Sequence, residues 1–153
     1  MEGHGWGLFD QDSDPGHVLW RPMTYAYQYF GELMAFATGI VPSSMIVVKP
    51  QEAYFTVLAG SGTFDGRPAA KILISSYESV TNATVLDLHI PSEWISLSPN
   101  SCSWQYTVSI IDESRQNELL TGGNIEVGSD EELHLPPFEM LSPSVVMIKL
   151  NML

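Results

Sequence analysis

The chain has 153 residues, 44% hydrophobic and 16% charged, which gives one soluble folded domain enough apolar content for a core. Eighteen acidic residues against six basic ones set a formal charge of −12, a field that repels nucleic-acid phosphates and anionic lipid surfaces, so neither is expected as a partner. Neutral polyols such as sugars stay open as ligands, because aromatic faces and hydrogen bonds recognise them without regard to net charge. The single cysteine, Cys102, excludes an internal disulfide and a thiolate metal cluster and is read as a small core residue.

Residues 1–21 are rich in Gly, Asp and His. They contain no basic stretch followed by an apolar run, and no part of the chain approaches the roughly 20 apolar residues of a membrane span, so the expectation is a cytoplasmic chain or a piece of something longer. Asp10, Asp12 and Asp14 resemble the opening of a calcium loop. Pro15 stands where that loop needs Gly, however, and Arg21 where it needs a bidentate acid, so a plain Asp-rich turn is read and no metal or cofactor is expected.

Pro22 suits the first position of a helix, where its missing N–H would be unpaired anyway. From there to about Ala37, Met23, Ala26, Tyr27, Phe30, Leu33, Met34 and Ala37 recur at helical spacing. The opposite side is nearly as apolar, with Tyr25, Tyr29 and Phe36 interrupted only by Gln28 and Glu32, so this helix is expected to be covered on more than one side.

After Gly39 the period changes. The runs IVPSSMIVVKP, EAYFTVLAGSG, AAKILISSY, ATVLDLHI, SWQYTVSIID, ELHLP and PSVVMIKL are β-branched or aromatic, and the turn signals PQE, GSGTFDGRP, ESVTN, PSEW, SPNS, TGGN and SPS separate them. The expected fold is mainly β: an antiparallel β-sandwich of seven to eight strands, immunoglobulin- or jelly-roll-like, with one N-terminal α-helix, a closed barrel being the competing architecture. Residues 1–40 would form the N-terminal loop and helix and residues 41–153 the sandwich, packed as a single unit.

Candidate chemistry is sparse. His4, His17, His89 and His134 include no i, i+4 or HxH pair that would bring two imidazoles to one metal from a single element. Asp87 and His89 share a strand face and could exchange a proton, although two polar residues on the outer face of a sandwich strand are the commoner arrangement. No GxSxG elbow is present. Carboxylates in or beside turns, such as Glu78, Glu93 and Glu139, would support glycoside cleavage only if two of them faced each other across a cleft. Trp94, in a loop-like stretch, and Trp104, whose alternating run predicts core, are the aromatic candidates for stacking on a sugar ring.

The run GWGLFDQDSDPGHVLWRPMTYAYQYFGEL resembles the last strand, turn and helix of the (β/α)8 barrel of clan A glycoside hydrolases, where a GLFD turn and a Pro precede a helix beginning YYAYQLFGEL or similar. The segments LISSYESVTNATVLDLHIPSEW, WQYTVSIIDESRQ and ELHLPPFEMLSPSVVMIKL resemble the C-terminal β-sandwich of the same enzymes, most closely the family-39 group of xylosidase and iduronidase relatives. In that clan the acid/base and the nucleophile are Glu residues at the ends of the fourth and seventh barrel strands. The resemblance gives neither a counterpart here, so no catalytic residue is assigned. Trp6 matches the aromatic at the end of the eighth strand, a platform for the sugar in the first subsite.

The resemblance therefore implies a non-catalytic accessory module with an association role, leaving room for weak carbohydrate binding through Trp6, Trp94 or Trp104. Its helix would engage a catalytic barrel subunit or a second copy of the chain. A small stand-alone glycoside hydrolase and an independent carbohydrate-binding module are the alternatives.

Overall fold

A computed structural model describes residues 9–11, 18–20, 22–41, 47–49, 55–76, 83–91, 102–112, 114–128, 132–141 and 143–153. The helix α1 (Pro22–Phe36) starts at the expected proline. It ends by passing its hydrogen bonding to a strand: the Ala37 N–H still donates to the Leu33 carbonyl at 2.9 Å, and the next N–H, of Thr38, donates instead to the Ser61 carbonyl at 2.9 Å.

Among the described residues are twelve strands, all paired antiparallel, and no closed barrel. Six of them, β3 (Gly39–Val41), β5 (Phe55–Phe64), β6 (Arg67–Ser76), β12 (Ser144–Met152), β8 (Cys102–Ile111) and β9 (Glu118–Val127), form the large sheet in that order. A small sheet is built on β7 (Ala83–Ile90). Along one edge of β7, β10 (Leu133–His134) and β11 (Phe138–Leu141) continue one another, with Leu133 opposite Ile90 and Phe138 opposite Leu86. Along the other edge runs β4 (Val47–Lys49). A separate two-stranded ribbon, β1 (Phe9–Gln11) with β2 (Val18–Trp20), precedes the helix.

The two sheets pack face to face, as the alternation requires. Leu86, Leu88 and Ile90 of β7 meet Ile72 and Ile74 of β6, Trp104, Tyr106, Val108 and Ile110 of β8, and Val146, Ile148 and Leu150 of β12 in one buried core. Each fully buried Leu or Ile contributes roughly 1.5–3 kcal/mol relative to exposure, so this layer dominates stability. The helix forms a third layer on the other side of the large sheet, where Tyr29 and Leu33 bury themselves with Ile111 and Met147, flanked by Tyr25, Leu58, Leu73 and Val145.

Several details depart from the expected turns. The segment GSGTFDGRP is mostly strand: β5 continues to Phe64, and the chain reverses through Asp65 and Gly66 alone. Their φ values of 52° and 76° fit the Asp-Gly hairpin whose twist matches that of the flanking strands. Likewise TGGN lies within β9, where Gly122 and Gly123 stand opposite Thr107 and Tyr106. A bulge follows between Val108 and Ser109, so that Leu120 is the extra residue of β9. Twelve strands exceed the expected seven to eight because the run IVPSSMIVVKP holds parts of two strands, β3 and β4, and because β1, β2, β9 and β11 lie outside the apolar runs, three of them too short to show alternation and β9 interrupted by its glycines.

Candidate functional site

The helix presents an unusual polarity. Glu32 is its only charged residue, and it lies on the side facing the sheet, where Lys71 and Lys149 each approach its Oε1 at 2.7 Å. Burial alone would raise the Glu32 carboxyl, but the hydrogen bonds from Lys149 and Lys71 outweigh it and hold the group below its ordinary value. The Lys71 ammonium also sits 4.8 Å from the centre of the Phe36 ring, a cation–π distance. Beside this group, the Tyr29 hydroxyl donates to Asn117 Oδ1 at 2.5 Å. Burial pushes the Tyr29 phenol up to about 12.

The solvent side of α1 carries no charge at all. Tyr27 is 62% exposed and Phe30 and Met34 47% each, with Gln28, Gly31 and Ala35 between them. Residues 27, 30 and 34 are spaced three and four apart and so share one flank. Among the described residues, the expectation that the helix is covered on more than one side is therefore met on one side only. The covered flank is the one with Tyr25, Tyr29 and Phe36, joined by Leu33, while three of the seven residues of the longer apolar series, Tyr27, Phe30 and Met34, are exposed.

Two neighbouring glycines set how closely the helix end approaches the sheet. A Cβ on Gly60 would lie 2.6 Å from the Ala37 Cβ, and one on Gly62 would lie 2.7 Å from the Phe36 carbonyl oxygen. Both positions are therefore restricted to glycine by the close contact of helix and strand.

A second group of functional side chains lies on the outer face of the small sheet. His89 of β7 and His134 of β10 are cross-strand partners, their rings edge to face with centroids 4.2 Å apart. His89 Nε2 is 3.1 Å from Asp87 Oδ2, and its Nδ1 is 3.4 Å from Glu132 Oε2. His134 Nε2 lies 3.7 Å from the same Glu132 oxygen. No single element carries two of these imidazoles. The pairing joins residues 45 positions apart, a link invisible to a search for local spacing.

Trp6, Trp94, Glu78 and Glu93 lie outside the described residues, as do Asp12, Asp14, His4 and His17. Trp104 is 0% exposed, where its alternating run put it, and its Nε1–H donates to the half-buried Cys102 sulfur at 3.2 Å, so neither ring face is open for stacking on a sugar. Glu139 is exposed on β11. A buried carboxylate, Asp112, is occupied with the β8–β9 turn: its Oδ1 accepts from the Ser114 and Arg115 N–H groups, and its Oδ2 pairs with the Arg115 guanidinium. Burial would raise Asp112, yet these bonds, led by that from the Arg115 side chain, hold it below its ordinary value.

Among the described residues no helix is long and apolar enough to cross a membrane. Comparison of the chain with protein-family models, with curated proteins and with solved structures gives no match.

Proposed function

We propose that the chain is a non-catalytic accessory β-sandwich module that docks through the outer flank of α1 onto a catalytic glycoside-hydrolase barrel. The polarity of the helix supports this reading most. A helix at a protein surface normally turns its charges to water and its apolar residues inward. This one holds its only charge beneath it and offers Tyr27, Phe30 and Met34 to the outside. Large exposed aromatic and Met side chains free of nearby charge are the composition of an interface centre. The resemblance of residues 5–33 to a barrel's closing strand and helix supplies the partner class. The net charge of −12 favours such a partner over a second copy, because two copies repel each other.

Sedimentation of the chain mixed with a family-39-type catalytic barrel expressed without its own sandwich tests the reading. The expected result is a one-to-one complex weakened about 30-fold by Phe30→Ala, the effect of losing a central aromatic contact. Absence of a complex at about 0.1 mM of each protein, or a complex indifferent to Phe30→Ala and Met34→Ala, would overturn it. A concentration-dependent dimer of the chain alone that Phe30→Asp abolishes would put a second copy in the barrel's place. On a panel of aryl glycosides the isolated chain is expected to show no hydrolysis, since both catalytic glutamates of the resembled enzymes lack a counterpart.

A further inference from the structure

We propose that His89, Glu132 and His134 form a binding site for a divalent transition metal, zinc above all, on the outer face of the small sheet. One ligand atom from each of the three lies within 4.8 Å of the other two. The separations from Glu132 Oε2, 3.4 Å to His89 Nδ1 and 3.7 Å to His134 Nε2, are close to the roughly 3.3–3.4 Å edge of a tetrahedron whose ligands stand about 2.0–2.1 Å from zinc. Glu132 and His134 are both exposed, so small side-chain rotations suffice to close the set and water can take the fourth position.

The hydrogen bonding of His89 gives a second, independent reason. An ionised Asp87 carboxylate can only accept, so the imidazole must direct its Nε2–H toward Asp87 Oδ2. With Nε2 engaged in this way, His89 Nδ1 points at Glu132 Oε2 3.4 Å away, so the two atoms converge on one spot that a cation could share. Asp87 then acts as the carboxylate behind a metal-bound imidazole, fixing its tautomer and its aim. Two imidazole nitrogens and one carboxylate suit zinc and its neighbours and do not suit calcium or magnesium, which take oxygen ligands. The site would also fasten β10, which is only two residues long, to the centre of the small sheet. It shares no residue with the helix flank and stands whether or not that flank docks on a barrel.

The test is a calorimetric titration of the full, tag-free chain, stripped with a chelator, with zinc chloride, repeated with cobalt(II) to read the coordination from its visible bands. One zinc per chain and cobalt bands of four-coordinate intensity are expected. Asp87→Asn is expected to weaken zinc about 10- to 100-fold although it removes no ligand. His134→Ala, at an exposed position that leaves the fold intact, is expected to weaken it at least about tenfold, and Glu139→Gln on the same face to change nothing. The proposal is overturned if no zinc binds at about 1 mM. Uptake that His134→Ala and Asp87→Asn both leave unchanged would overturn it equally.

Discussion

On the outer face of the large sheet, Leu58, Leu73, Val145 and Met147 lie under a helix; on the outer face of the small sheet, Val85, Asp87 and His89 meet water. The strands record this difference directly. The strand β7, ATVLDLHI, alternates strictly, one face buried and the other polar or exposed. The strand β12, SVVMIKL, runs through Val145, Val146, Met147 and Ile148 without a polar break, because both of its faces are covered. A continuous apolar run inside an antiparallel sandwich is thus the mark of a third layer, and it indicates which sheet that layer covers.

The sharpest way to break this comparison is to truncate one residue on each face. Leu33→Ala, beneath the helix at 0% exposure, is expected to lower stability by about 2–5 kcal/mol in urea denaturation. Val85→Ala, 61% exposed on the open face, should stay within about 0.5 kcal/mol. Equal losses at the two sites would mean that the helix contributes no packed layer. Next in size is Gly60→Val, whose new side chain would run into Ala37; an overpacking loss of about 1–3 kcal/mol, with less helical circular dichroism, is expected.

Acid sharpens the comparison through charge. Glu32 under the helix and Asp112 in the β8–β9 turn both have folded pKa values below their ordinary 4.5 and 3.8. Below those ordinary values the unfolded chain takes up the protons first, so the stabilisation present at neutral pH is lost as the pH falls further, through the folded values. Denaturant midpoints measured from pH 7 down to pH 3 should show the loss beginning near pH 4.5, and Glu32→Gln should flatten the upper part of that slope. The smallest effect belongs to Phe30→Ser. Its stability should change by no more than about 0.5 kcal/mol, whereas binding of an apolar dye to the chain should fall, because Phe30 is 47% exposed on that flank.

Much of the fold was legible. Pro22 marked the helix start, and the alternating runs located β5, β6, β7, β8 and β12. The periodicity of α1 revealed two apolar flanks but not which one the sheet would take. Lys71 and Lys149, from strands far along the chain, decide that by pairing with Glu32. The glycines of β9 hid a strand, since Gly122 and Gly123 carry no side chains to show alternation; a Cβ on Gly123 would press on the Tyr106 ring and one on Gly122 on the Tyr106 carbonyl. The Asp-Gly pair at 65–66 was a readable hairpin signal inside a longer turn-like stretch. The His89–His134 pairing was not readable, because it depends on the register of β10 against β7.

The β9 margin of the large sheet bears on how the molecule meets its neighbours. That border strand carries Glu118 and Glu126, a glycine pair and the kink at Leu120, a combination that gives an incoming extended chain an irregular and negatively charged template. Growth of the large sheet by adding strands along that margin is therefore disfavoured, which guards this edge against fibrous stacking.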